Sequence, residues 1–414
     1  MRIAYLTQSY PPMISGASIA AGELAQEMAY RGHHVQVIAA SEREYAYTHI
    51  EGNLTVVRLR SINNPLRVGQ RILMASRRMV LKKLQEFQPD MIHVHEPFQL
   101  GLLGLQYAKQ HHIPITLTTH QLPWFIASYM PDKFKIREWV EKALWSYASW
   151  LLKRFSSIIA PTMTVSKIIE NKTGVSPRII HYGIDLQTFH PNASMAKKDE
   201  TRSQYGLPTN VPIILHTGRL DTDKLVRRVL LAAAETMSHT DVHLLIVGDG
   251  NQKHHLIELC KSLGIESRTH FTGFISDKNE LANIYRMSNV FITASEIETQ
   301  GIVILEAAAC GLPIVAVNAT CIPEVVQDGV NGFLCKSGDI HEMSVSINKL
   351  IMDKDLANTM QIKSRLIAER FGSETTFTKH EVLYQEIVTE KSSFYSFTTG
   401  KPEETAPHSV QEPS

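Results

Sequence analysis

The sequence has little cysteine, no long apolar run and almost no net charge, and each absence excludes something. Its four cysteines (Cys260, Cys310, Cys321 and Cys335) all fall in the second half of the 414 residues, with no Cys-x-x-C pair. That argues against a disulfide framework or a zinc site and describes buried thiols in a reducing cytosol. Nowhere do roughly 18 apolar residues run together, so no segment is expected to span a membrane. Residues 1–8 carry too short an apolar run for a signal peptide, and a cytoplasmic protein is expected. With 42 basic against 41 acidic residues, the net charge of +1 excludes a surface wholly devoted to a polyanion, and no nucleic-acid partner is expected.

What is present is ample material for a core, with 43% hydrophobic and 20% charged residues. At about 100–200 residues per domain, the length corresponds to two or three domains. The charge is divided unevenly. Residues 1–190 hold 21 Lys and Arg against 13 Asp and Glu, and the remainder 21 against 28, so one half can face something anionic.

Both halves share one grammar, in which short β-branched runs alternate with longer helical patterns. Strands are predicted at 2–7, 35–39, 55–59, 91–95, 115–119, 157–160 and 178–181, then at 213–217, 243–247, 269–272, 290–294 and 314–317. Helices are predicted at 17–32, 65–85, 99–111 and 135–155, then at 223–237, 252–263, 278–287 and 302–310. Continuous apolar strands separated by amphipathic helices imply parallel sheets covered on both faces. The expected architecture is α/β, with a first Rossmann-like domain over 1–190, a polar linker over 191–205 and a second domain over 206–372. A helix over 373–390 follows, and the polar tail 391–414 is expected to be disordered.

Three loops carry chemistry. The first βα turn, Pro11-Pro12-Met13-Ile14-Ser15-Gly16, opens a helix, where a glycine allows close backbone approach and the helix start favours an anion. Gly218-Arg219-Leu220-Asp221-Thr222-Asp223-Lys224 follows a strand and offers a planar cationic fork and a mobile point charge, suited to a phosphate. The most informative segment runs from Ser295 through Glu298, Thr299, Gln300, Gly301 and Ile302 to Glu306. Glu298 sits at a loop tip, and the residues after it present backbone N–H groups at a helix start. Glu306 is a lone carboxylate in an otherwise apolar helix, so it needs a partner.

The spacing Glu298-x7-Glu306, followed by Ala-Cys-Gly-Leu-Pro-Ile-Val-Ala at 309–316, resembles the retaining glycosyltransferases of the GT-B fold, family 4. The resemblance extends through Pro-Pro-x-x-x-Gly at 11–16, Gly183-Ile184-Asp185, Gly218-Arg219-Leu220, Val247-Gly248-Asp249-Gly250 and Glu324-x4-Gly329-x2-Gly332. It implies two Rossmann-like domains facing a central cleft, with the C-terminal helix returning to the N-terminal domain. It also implies a nucleotide-sugar co-substrate, UDP-linked in most of the family, and no other cofactor or metal. Carried over by position, Gly16 lets the first loop approach the donor diphosphate, Arg219 and Lys224 bind its phosphates, and Glu306 binds the ribose. Glu298 would hold the transferred sugar beside the backbone of Thr299, Gln300, Gly301 and Ile302. Phe274 and Ile275 would meet the base, and His120 would face the sugar from the acceptor side. The family usually has Gly-Gly where Ser15-Gly16 stand and Lys-Gly where Lys224-Leu225 stand, which bears on loop geometry. The reaction implied is transfer with retention, without a metal.

The acceptor is read from the basic half. Residues 65–85 hold Arg67, Arg71, Arg77, Arg78, Lys82 and Lys83 and no acid, on a helical pattern with spaced leucines. All four tryptophans (Trp124, Trp139, Trp145 and Trp150) cluster among further basic residues. Basic amphipathic helices and tryptophan suit an anionic bilayer interface. The wording Glu298-Thr299-Gln300-Gly301 resembles diacylglycerol glucosyltransferases within the family. The expected enzyme is a peripheral membrane glycosyltransferase, moving glucose or galactose to a lipid acceptor such as diacylglycerol on the cytoplasmic face. Transfer to a polysaccharide or soluble small acceptor, a sugar-nucleotide-binding regulatory subunit and a GT-B epimerase are the alternatives.

Overall fold

The computed structural model describes residues 1–13, 15–63, 71–120, 122–123 and 136–398. Among them are two large sheets. The first has the order β10-β9-β8-β7-β1-β2-β4-β3, built from β1 (Arg2–Leu6), β2 (His34–Ala40), β3 (Tyr47–Glu51), β4 (Leu54–Leu59), β7 (Met91–Val94), β8 (Ile115–Thr118), β9 (Ser157–Ala160) and β10 (Arg178–Ile179). All neighbours are parallel except β3, which returns antiparallel along β4 at the edge. A separate hairpin pairs β5 (Ser61–Asn63) with β6 (Arg71–Leu73). The second sheet, wholly parallel, has the order β13-β12-β11-β14-β15-β16. Its strands are β11 (Ile213–Thr217), β12 (His243–Val247), β13 (Thr269–Gly273), β14 (Val290–Thr293), β15 (Ile314–Val317) and β16 (Gly332–Cys335). The central strands are buried along their length, because helices cover both faces and every side chain meets an apolar neighbour.

The last helix, Ser373–Thr398, belongs in space to the first sheet. Leu383, Tyr384 and Ile387 join the core that holds Ile3, Tyr5, Met28 and Val35. The Tyr384 hydroxyl lies 3.1 Å from that of Tyr5 and 2.6 Å from His93 Nδ1. Arg31, the C-cap of the first helix Gly16–Tyr30, holds Glu381 at 2.8 Å. The two chain crossings between the halves run side by side. Ile184 N–H donates to Phe371 O at 2.8 Å, and Ser373 N–H donates to Ile184 O at 3.0 Å. A Cβ on Gly183 would stand 2.4 Å from Ser373 Cα, so the glycine of Gly183-Ile184-Asp185 is needed for this approach.

Three elements differ from the sequence expectation. Residues 71–73 are strand, and the basic helix is Arg77–Phe87, started by Ser76, whose hydroxyl accepts from Met79 N–H. The polar stretch at 191–205 contains a helix, Met195–Gln204, anchored by Arg202, which donates to the carbonyls of Pro208, Thr209, Val211 and Met287. The C-terminal helix continues past 390 to Thr398; residues 399–414 of the expected tail lie outside the described residues. Among the described residues no helix is long and apolar enough to cross a membrane.

Candidate active site

The loops that carry chemistry lie at the carboxyl ends of β11 and β14, the usual ligand edge of a parallel sheet. A Cβ on Gly248 would stand 1.8 Å from Gly218 O, so the turns after β11 and β12 meet backbone to backbone. Beyond Gly218, the Arg219 guanidinium is held by Asp221 and, at 2.9 Å, by Asp223. Neither aspartate was given a role from the sequence; both orient the cation. Lys224 Nζ lies 2.5 Å from Glu298 Oε1, with the two side chains 18% and 15% exposed. Leu225 takes φ +51, so the loop keeps the left-handed turn that a glycine favours even with a side chain there.

The segment after β14 crosses to the other half. The Gln300 side chain is fully buried; its Oε1 accepts from Tyr182 N–H at 2.6 Å and its Nε2 donates to Tyr182 O at 2.9 Å. Thr162 Oγ1 donates to Thr299 O at 3.1 Å. Gly301, at φ +75, caps the helix Ile302–Ala309 and its carbonyl accepts from Ile304 N–H at 2.9 Å, which leaves the N–H groups of Ile302 and Val303 at the helix start without an intrahelical acceptor. Glu306 receives a hydrogen bond from Tyr285 Oη at 2.8 Å, and Tyr285 in turn meets Thr217 Oγ1 at 2.6 Å. Desolvation raises the Glu306 carboxyl to about 7, against the lowering effect of Tyr285 and Lys278. Lys278 pairs across the cleft with Glu23. Phe274 is exposed just past β13, while Ile275 packs on the second core.

From the first half, Gly16 faces this segment. A Cβ there would stand 3.3 Å from Ile302 Cδ1. The preceding loop is fixed by Arg58, buried and donating to the carbonyls of Ala40 and Pro11, and by Glu96, which accepts from Ser9 N–H at 3.2 Å. His120 Nδ1 lies 2.6 Å from the Tyr182 hydroxyl, and its Nε2 2.9 Å from His95 Nδ1. Burial pushes His120 down to about 3, so its ring is neutral at physiological pH.

The fold thus joins His120, through Tyr182, to Gln300, sets Gly16 against Ile302 and pairs Lys224 with Glu298. Sequence reasoning missed Tyr182, Asp221, Asp223, Tyr285 and the Gln300 side chain. It also gave no partner to Glu324, which caps the helix Met163–Thr173 of the other half through Met163 and Thr164 N–H at 3.0 and 2.7 Å. Of the basic residues expected on the acceptor side, Arg71 lines the same cavity as His95 and His120. Arg71 is tied to Ser61 and Asn63 in the hairpin. Arg77, Arg78 and Lys82 are exposed, and Lys83 pairs with Glu86 at 2.8 Å. Arg67 and Trp124 lie outside the described residues.

Two parallel-sheet halves enclosing cations, carboxylates and a helix start define the GT-B class of glycosyltransferase, which uses a nucleotide-sugar donor. The chain belongs to glycosyltransferase family 4. The model described as Glycosyltransferase Family 4 matches residues 14–188, and that described as Glycosyl transferases group 1 matches residues 197–366. The chain is 27% identical to the alpha-monoglucosyldiacylglycerol synthase of Streptococcus pneumoniae, over 90% of this chain and 84% of that one. It is also 27% identical to the N-acetyl-alpha-D-glucosaminyl L-malate synthase of Bacillus anthracis, over 91% and 95%. In fold it is similar to sucrose-phosphate synthase from Thermosynechococcus elongatus, with a TM-score of 0.78, 21% identity and coverage of 94% of this chain and 100% of that one. It is similar also to Anabaena HepE in complex with UDP-glucose, with a TM-score of 0.73, 24% identity and coverage of 95% and 100%.

Proposed function

We propose that the enzyme transfers a hexose, glucose or galactose, from a UDP-sugar to a lipid hydroxyl such as that of diacylglycerol. The transfer proceeds with retention and without a metal, at a cytoplasmic membrane surface. The observation that carries the donor half is the Lys224–Glu298 pair beside Arg219 and the helix start at Ile302. In this reading Lys224 and Arg219 take charge from the leaving diphosphate, assisted by the first-turn N–H groups of the helix. Glu298 holds hydroxyls of the transferred sugar, Glu306 the ribose and the backbone of Phe274 and Ile275 the base. Gly16 gives the diphosphate room, and neutral His120 faces the sugar from the acceptor side. The acceptor attacks from the face the diphosphate leaves. In domain terms, residues 1–190 serve the acceptor and 206–372 the donor.

The lipid reading draws support from the acceptor-side surface. Met74, Met79, Trp139 and Trp150 are exposed there, Trp139 by 71%, together with Arg77, Arg78 and Lys82. Apolar and aromatic side chains mixed with cations suit an anionic interface. The likeness to a diacylglycerol-directed synthase points the same way. A screen of UDP-glucose and UDP-galactose against diacylglycerol, with and without EDTA, tests the reading. Turnover insensitive to EDTA supports it, and turnover restored only by magnesium or manganese contradicts the cationic clamp.

A further inference from the structure

The acceptor-side half contains a cavity of about 340 Å³ that the donor chemistry leaves unused. Much of its wall is hydrocarbon, supplied by Leu144, Trp145 and Leu152 of the helix Ile136–Leu152 and by apolar side chains facing them. Polar groups also line it, among them His95, Thr119 and His120. His95 is 2% exposed and engages His120 through Nδ1. Its Nε2 is buried, as is Thr119 Oγ1, and neither atom has a hydrogen-bond partner among the described residues. Buried polar atoms are rarely left unpaired, and two of them beside an apolar wall are the complement of a ligand with an oxygen-bearing head and a hydrocarbon tail.

We propose that this cavity takes one acyl chain of the lipid acceptor, with glycerol oxygens of the acceptor meeting His95 Nε2 and Thr119 Oγ1 beside His120. The proposal rests on the lipid-acceptor reading and goes beyond it, because it draws one chain out of the bilayer into the protein. Chain length is then read by the enzyme as well as by the membrane. Each methylene added inside the cavity strengthens binding by about three- to fourfold, and the gain stops when the cavity is full.

The test uses the full-length enzyme, UDP-glucose and monoacylglycerols of graded chain length below their micelle concentration. KM is expected to fall three- to fourfold per methylene and then level off. Ala148→Phe, which fills the cavity from the same helix, should raise KM at least tenfold and flatten that dependence while UDP affinity stays unchanged. Leu144→Ala, which enlarges the cavity, should move the plateau to longer chains, and serves as the reading if the larger side chain disturbs folding. A monoacylglycerol brominated on its chain should quench the fluorescence lost in Trp145→Phe. Lipid turnover with no chain-length dependence, no response to either variant and no quenching of Trp145 overturns the cavity assignment alone. Failure to glycosylate any lipid, with good turnover of a soluble hydroxyl compound, overturns the lipid reading beneath it as well.

Discussion

At 2.5 Å, the Lys224 ammonium and the Glu298 carboxylate already neutralise each other before any donor enters. Replacing Glu298 by Gln removes the charge but keeps the shape, so turnover should fall by one order of magnitude or more while UDP affinity remains nearly intact. Glu306→Ala removes instead the hydrogen-bonding carboxylate proposed to hold the ribose. It should weaken nucleotide binding itself, by about 1.5–3 kcal/mol or roughly 10- to 150-fold. Calorimetry with UDP separates the two, and equal losses would dissolve the division of labour. Glu306 also carries a pH signature. Its carboxyl titrates near 7 in the folded enzyme, and the ionised form is the better acceptor for vicinal hydroxyls. Affinity for UDP-glucose, whose diphosphate is fully ionised in this range, should therefore rise from pH 6 to 8 and then level. The inflection should vanish in Glu306→Gln.

The basic helix Arg77–Phe87 has its own hierarchy. Lys82 and Lys83 share Glu86, at 3.8 and 2.8 Å, whereas Arg77 and Arg78 stand in its exposed first turn. At about 1 kcal/mol per cation near an anionic surface, Arg77→Ser with Arg78→Ser should lower vesicle binding by about 30-fold. The lysine pair should cost less, and donor affinity should not move. Cosedimentation with anionic vesicles checks this, and equal losses from both pairs would contradict it. What the sequence disclosed about elements follows from where each gets its stability. The strands at 213–217, 243–247 and 314–317 are apolar over most of their length and almost wholly buried, and the structure has them at those bounds. Residues 65–85 satisfy a helical pattern of leucines, but Arg71 hydrogen-bonds Ser61 and Asn63, a tertiary contact that periodicity does not encode. The edge strand Gly332–Cys335 and the helix Met163–Thr173 are too polar or too short to stand out. Gln300 was legible as a loop residue, but not as a splint, because its partner Tyr182 lies 118 residues upstream.

Over the whole molecule, the C-terminal helix closes the structure by burying Tyr384 and His380 against the first sheet, beside a stack of neutral rings. His93 and His95 stack at 4.3 Å, and His95 and His120 at 5.1 Å. Burial holds all four histidines below their ordinary value, with His120 at about 3 and His380 at about 4. In the unfolded chain each takes up a proton near 6.5, so their contribution to stability is complete above that pH and is lost as pH falls toward the folded values. At pH 5 His120 and His380 each cost about 2 kcal/mol relative to neutral pH, and His93 and His95 act in the same direction. Thermal unfolding should therefore move to clearly lower temperature between pH 7 and pH 5; an unchanged melting temperature would contradict the neutral stack. The central claim, retaining transfer to a membrane lipid, is tested most directly by one product analysis. The enzyme is incubated with UDP-glucose and diacylglycerol in vesicles with and without anionic lipid, and the anomeric configuration of the product is read by NMR. The account predicts an α-linked glucosyl diacylglycerol, formed faster on anionic vesicles. A β-linked product, or no lipid product where a soluble acceptor is glycosylated well, would contradict it.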